Sequence, residues 1–409
     1  MSLSPSLSTT SDATTWRRLR LPLTATLTVQ IAVNLALLSV AVLAPAIAAD
    51  LQVPAAWAGY YIGLAYLAGA LVSAGADRVL APVGPMTASL AALVATVLGL
   101  LAAASGSLAG VAVGAVSIGL AYGVTNPTSS EILAASAPVT LYGRVFSIKQ
   151  TAVPAGGVLA GVLAPSLALA AGWNGALQLT ALLVAITILV LLPWRRRLDG
   201  RRLDRRASIG SPLTLVLADQ ALRRLALAGF CLAGLQLCVS TFFTAYLVEA
   251  VGLSLTLAGL LFGIVQGAGV AGRVLWGWLA DRVLGLAPSV AVLAGLATLG
   301  VGALALVPAG VAVALLVVLA LFLGFSVMAW TGLLIAAAVA ARPDRASSIT
   351  AGAMIFTFAG VVAVPPLFGV VVDASDSYAA GYVLAAGFGV LALALTWPRR
   401  SAAGNGDPR

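Results

Sequence analysis

Apolar residues run along the chain in blocks of twenty or more, divided by short clusters of arginine, proline, glycine and acids. The blocks fall near residues 22–49, 54–76, 83–104, 108–134, 144–170, 173–193, 225–249, 255–280, 284–307, 310–341, 346–372 and 377–398. A helix needs about 20 apolar residues to cross a bilayer core, so each block is long enough to span one. An outer-membrane barrel would show alternation with period two in segments of about ten residues, and these runs do not alternate. The pattern predicts twelve membrane-spanning helices. Glycine and proline inside them are compatible with helix because neighbouring helices satisfy the freed backbone groups.

Composition sharpens this picture. Of the 409 residues, 61% are apolar and 9% charged, against roughly 25% charged in a soluble domain. Charge position then sets orientation. Twenty of the 22 basic residues fall in alternate loops and the termini, nine of them between Arg195 and Arg224, while the opposite loops carry Asp50, Glu249, Asp373 and Asp376. By the positive-inside rule both termini are expected in the cytoplasm and the protein in the inner, or plasma, membrane. The net charge of +9 thus reports topology and contact with anionic headgroups of the lipid bilayer, and no nucleic-acid partner is expected.

The chain has no histidine, and its two cysteines, Cys231 and Cys238, lie seven apart in one apolar block. Zinc sites, histidine catalysis and a disulfide framework lose their raw material, so no metal, cofactor or enzymatic role is expected. There is no phosphate-binding loop for ATP. Residues 1–16, rich in Ser and Thr, read as a disordered tail rather than a cleaved signal.

The two halves repeat. Gly59, Gly63, Asp77 and Arg78 map onto Gly263, Gly267, Asp281 and Arg282 at an offset of 204, and Arg144, Ser147, Ile148 and Pro165 onto Arg345, Ser348, Ile349 and Pro366 at 201. This predicts a cytoplasmic tail (1–21), a six-helix bundle (22–193), a basic cytoplasmic linker (194–224), a second six-helix bundle (225–398) and a cytoplasmic tail (399–409). A site at the interface of the repeats, near mid-membrane, is the expectation for such folds.

On these residues the chain resembles the major facilitator superfamily of transporters. The segment Gly277-Trp278-Leu279-Ala280-Asp281-Arg282 follows the family pattern Gly-x-x-x-Asp-Arg, and Ser73-Ala74-Gly75-Ala76-Asp77-Arg78 repeats it with Ser in place of the first Gly. The resemblance implies an all-α membrane fold of two pseudo-symmetric six-helix bundles, with Asp77, Arg78, Asp281 and Arg282 in a conformational latch. Simple interfacial pairing is the other reading of these four residues. Within the superfamily, Asn126-Pro127 with the stretch from Arg144 to Gly157 is similar to cyanate-permease-like members. Arg273 stands where monocarboxylate and oxalate/formate transporters carry a substrate-binding arginine.

Only two basic residues lie inside spans, Lys149 and Arg273. An intramembrane cation costs at least roughly 2.5–3.5 kcal/mol at mid-span and is a functional-site hypothesis by default. Arg273 lies eight residues inside Asp281, about 12 Å, and Lys149 five residues inside Arg144, about 7.5 Å. Substrate binding is expected for both, with structural pairing of Arg273 and snorkelling or gating by Lys149 as alternatives. Neither cation has a mid-span carboxylate to neutralise it. Glu131, at the end of the fourth span, is the nearest acid and the candidate for proton coupling, or else an interfacial acid. Further candidate lining residues share faces at helical spacing: Gln30 with Asn34, Tyr122 with Asn126, Gln266 with Arg273, and Trp330 with Ser326.

Together these features predict a monomeric secondary transporter of a small anion, most simply an organic carboxylate, working by alternating access with proton symport or anion exchange. The alternative is a proton-coupled efflux antiporter for drugs or metabolites. That chemistry favours a mid-span carboxylate, which this sequence lacks.

Overall fold

The computed structural model describes residues 8–54, 56–138, 141, 145, 148–200, 212–342 and 346–397; for 8–15, 74–82, 212 and 346–348 it describes the backbone and not the side chains. Every extended element among them is a helix. Helix α1 covers Ser8–Val42 and resumes after Leu43 as Ala44–Leu51, with Pro45 in the first turn, where its missing N–H costs nothing. Next come α2 (Trp57–Val83), α3 (Pro85–Ala103) and α4 (Leu108–Ala134). Helices α5 and α6 share the stretch Ala152–Leu191, which turns at Gly172 (φ 70, ψ 169), a left-handed conformation that only glycine adopts readily. The second half holds α7 (Gln220–Glu249), α8 (Leu255–Leu279), α9 (Leu286–Leu304), α10 (Val313–Val327, resuming as Trp330–Ala341), α11 (Ala346–Ser375) and α12 (Tyr378–Thr396).

Ten helical segments among the described residues are long and apolar enough to cross a membrane, with Trp57–Ser73 as a shorter apolar helix. One of the ten, Ile148–Asp199, is divided by the turn at Gly172, which brings the spans to twelve. One expectation is corrected. Residues 8–16, expected within a disordered tail, continue α1 as helix. The apolar span supplies a helical nucleus, and extending a helix is far easier than starting one.

Side chains mark several of the helix starts. Ser107, Asp219, Ser254 and Ser377 each accept a bond from a backbone N–H of the first turn of α4, α7, α8 and α12. Helix α3 is capped from a distance: Asp199 Oδ1 accepts from the N–H groups of Met86 (2.7 Å) and Thr87 (3.1 Å), and its Oδ2 accepts from Thr87 Oγ1. The residue before that helix, Gly84, has φ 89 and no side chain to cap with. The carboxylate thus ties the segment after α6 to the start of α3.

The repeat seen in the sequence is a repeat in packing. Contacts of α1 and α3 with the α5–α6 stretch and of α2 with α4 in the first half correspond to those of α7 with α11, α9 with α12 and α8 with α10 in the second. Between halves, α2 packs on α11 and α5 on α8, which exchange under the same symmetry. Small residues make these seams. A Cβ on Gly63 would stand 2.8 Å from Pro366, and Gly161 meets Gly259 backbone to backbone. Ala56 touches Gly369 in the same way. All of these contacts lie toward the face whose loops carry Asp50, Glu249, Asp373 and Asp376, so the halves are closed together on that face.

Candidate functional site

Arg273 projects from α8 at the seam with α5. Its Nη1 donates to the main-chain oxygen of Gln150, in the other half, at 2.6 Å, and its Nε donates to the main-chain oxygen of Met328 at 3.1 Å. Both acceptors sit at interruptions of helix. Met328 lies in the break between the two parts of α10, and Gln150 just precedes the turn at Thr151 before α5. Carbonyls at such places lack an intrahelical donor and are free to accept from a guanidinium.

One residue before Gln150, Lys149 is 2% exposed, and its Nζ donates to Asn126 Oδ1 of α4 at 2.5 Å. An ammonium has three donors, and this bond uses one. Among the described residues the ion pair is Arg342 with Asp219, and neither Lys149 nor Arg273 is matched to a carboxylate there. Tyr122 lies one turn before Asn126 on α4 and shares its face. Its ring packs on Tyr66 of α2 with centroids 5.0 Å apart, and Tyr66 in turn faces Phe358 of α11 at 6.4 Å. Arg273, Lys149, Asn126 and Tyr122, drawn from three different spans, therefore form one neighbourhood. Tyr66, Phe358 and the two main-chain oxygens join it, although no pattern in the sequence marks them.

The other candidates are placed differently. Gln266, two turns outward from Arg273, packs against Gly157 of α5, where a Cβ would stand 2.7 Å from its amide. Asn34 is 1% exposed, packs on Gly156, and donates to the Gln30 carbonyl at 2.8 Å, a bond within its own helix. Gln30 is fully buried with neither amide atom hydrogen-bonded in the structure. An orphaned buried amide costs about 1–3 kcal/mol, which marks a spot where a ligand or water would be stabilised. Trp330 is buried at the start of the second part of α10 and donates through Nε1 to Gln236 Oε1 of α7 at 2.8 Å; Ser326 bonds back to the Phe322 carbonyl. Gln236 is a lone amide in an apolar span, and that polar outlier is the signal in the sequence that could have found it. Glu131 is half-buried near the end of α4. Trp276 donates to the Phe325 carbonyl at 2.9 Å.

The profile of the major facilitator superfamily matches residues 23–358, most of the chain. The chain belongs to this superfamily. Like other major facilitators it is a membrane transporter rather than an enzyme. Solved structures agree in fold. A bacterial homolog to the human lysosomal transporter Spinster, in an inward-facing and unoccupied conformation, superposes with a TM-score of 0.75 at 14% identity, covering 92% of this chain and 95% of that one. The same homolog, inward-facing and occupied, gives 0.73 at 16% identity, covering 91% and 95%. The nucleoside transporter NupG gives 0.74 at 14% identity, covering 92% and 98%. No curated protein sequence matches the chain.

The two Asp-Arg pairs of the repeated sequence pattern fall at the arginine-rich ends of α2 and α8. Asp281 and Arg282 sit in a π-type turn, Ala280–Leu284, and both are exposed. The side chains of Asp77 and Arg78 lie outside the described residues. At the opposite end, a cleft of about 390 Å³ is lined by Pro54, Glu249, Val372, Asp373, Asp376 and Tyr378, with the Tyr378 hydroxyl donating to Glu249 at 2.8 Å. It lies at the acid-bearing face, apart from the cationic group.

Proposed function

We infer that this major facilitator moves a small anion, an organic carboxylate, across the inner membrane by alternating access, with its termini in the cytoplasm and working as a monomer. The single observation that carries the reading is the pairing of Arg273 with two neutral main-chain oxygens rather than with an acid. A cation held this way keeps its full charge for a ligand. A carboxylate offers the guanidinium two parallel hydrogen bonds and an opposite charge, where a carbonyl offers one bond and no charge, and so competes with the Gln150 oxygen. Lys149 supplies a second positive charge one residue from that oxygen, with Asn126 and Tyr122 as polar neighbours.

This competition gives binding a route to movement. When the guanidinium turns to an anion, the start of α5 loses its hold on α8, while the glycine seams at the acid-bearing end remain packed. The halves then rock about those seams, and Asp77, Arg78, Asp281 and Arg282 are the residues that latch the other end. Import of an anion against an interior-negative potential is opposed by roughly 2.3 kcal/mol per charge at 100 mV, so uptake requires proton symport or exchange for another anion. Glu131 is the side chain assigned to a coupling proton.

Transport into proteoliposomes with imposed pH and voltage gradients tests the reading. Uptake of carboxylates that is lost in Arg273→Ala is the expected result. Proton-driven movement of a cationic dye with no anion transport would contradict it and establish the efflux antiporter instead.

A further inference from the structure

The surroundings of Arg273 are aromatic on one side. Tyr122 comes from α4, Tyr66 from α2 and Phe358 from α11, so three spans and both halves contribute to one row of rings. The Tyr66 and Tyr122 rings are tilted by 56° at 5.0 Å. Tyr66 and Phe358, tilted by 46°, face each other across the seam between the halves at 6.4 Å, near the upper end of the 4.5–7 Å range for paired rings. Phe358 is only partly buried, while Tyr66 is 8% and Tyr122 9% exposed. Asn126, one turn along α4 from Tyr122, accepts from Lys149, and the next residue, Gln150, supplies the main-chain oxygen that holds Arg273, so the aromatic row lies beside the cationic group.

Aliphatic side chains are plentiful in this chain, where aromatic residues are 7% of the total. Three rings in a row next to a cationic group, whose arginine has no carboxylate partner among the described residues, therefore describe a shape: a positive end, two hydroxyls, and a flat apolar wall that separates when the halves rock. Resting on the anion reading of Arg273, we propose that the substrate is an aromatic carboxylate, its carboxyl group gripped by Arg273 and its ring inserted between Tyr66 and Phe358. A planar ring fits between two faces that move apart by a small step. A saturated ring of the same size is thicker and lacks the quadrupole that favours edge and offset stacking. Each ring contact contributes roughly two- to tenfold in affinity. Tyr66 and Phe358 are then specificity-determining residues, one from each half, so that a bound ring touches both halves at once.

The experiment is a titration of the purified full-length transporter with benzoate, cyclohexanecarboxylate and acetate, followed by heat and by thermal stability. Benzoate should bind at least about tenfold more tightly than cyclohexanecarboxylate. Phe358→Leu should reduce that ratio to near one by weakening benzoate far more than cyclohexanecarboxylate, and Phe358→Tyr should retain it. Equal affinity of the two ring acids for the wild-type protein, with binding still dependent on Arg273, overturns the aromatic assignment and leaves the anion reading in place. Binding of none of the three to protein that melts cooperatively overturns both.

Discussion

Arg273 of α8 and Gln150, just before α5, are joined across the two halves by a 2.6 Å hydrogen bond from the guanidinium Nη1 to the main-chain oxygen. The donor is a side chain of the second half and the acceptor is backbone of the first, so no side-chain substitution at position 150 removes the acceptor. Only a change at Arg273 breaks the bond directly. Interhelical hydrogen bonds in membranes average about 0.6 kcal/mol, with a maximum near 1.7, which corresponds to a roughly 3- to 18-fold bias in a two-state equilibrium.

Arg273→Gln should therefore shift the empty protein by about that factor toward conformers in which α5 and α8 are apart at the arginine-rich end. Spin-label distances between the first turn of α5 and the last turn of α8 read this directly. A distribution identical to wild type would remove the bond from the conformational cycle.

Lys149 and Asn126 should behave as a coupled pair. Asn126→Leu leaves a buried ammonium without its 2.5 Å acceptor and should destabilise the protein by about 1–3 kcal/mol. Adding Lys149→Met removes the orphaned charge and should restore most of the stability, while anion binding stays weakened. Thermal unfolding of the four proteins in the cycle measures this coupling, and additive losses would show that the two side chains act independently.

The glycine seams make a prediction of the opposite kind. At Gly63 a Cβ would stand 2.8 Å from Pro366, so Gly63→Val should prevent closure on the acid-bearing face. Transport should fall more than about tenfold with expression retained. The acid-bearing ends of α2 and α11 should also become reactive to impermeant thiol reagents at introduced cysteines. Unchanged transport would show that these seams open in every state.

Asp199 is predicted to matter for stability and not for affinity. Its carboxylate caps α3, and caps of this type contribute about 0.5–2 kcal/mol. Asp199→Ala should lower the melting temperature while leaving the anion dissociation constant unchanged in the same titration. A change in affinity without one in stability would contradict the capping role.

Much of this arrangement is readable from the order of residues along the chain. The apolar blocks locate the spans because a bilayer permits few alternatives, and the break between the fifth and sixth spans falls at Gly172, where the turn requires φ 70. Lys149 and Arg273 stand out because a cation within an apolar span is costly. Tyr122 and Asn126 follow from a shared helix face. The main-chain acceptors of Arg273 are not readable, because a carbonyl freed by a helix break leaves no side-chain signature, and the block covering residues 310–341 gives no sign of the interruption at Met328 and Ala329. Tyr66 and Phe358 escape notice for a different reason. Each is an ordinary apolar-compatible residue within its own span, and their meaning arises only when α2 and α11 meet.

Whether Arg273 holds the anion is decided by titrating its variants. Wild-type protein, Arg273→Lys and Arg273→Gln would be titrated with the same panel of carboxylates, cyanate and nitrate, with cooperative melting checked for each. The wild type should bind at least one of these anions. Arg273→Lys should bind it measurably more weakly because a point charge replaces a planar fork, and Arg273→Gln at least about a hundredfold more weakly. Wild-type affinity retained in Arg273→Gln would contradict the assignment of Arg273 as the anion-binding residue.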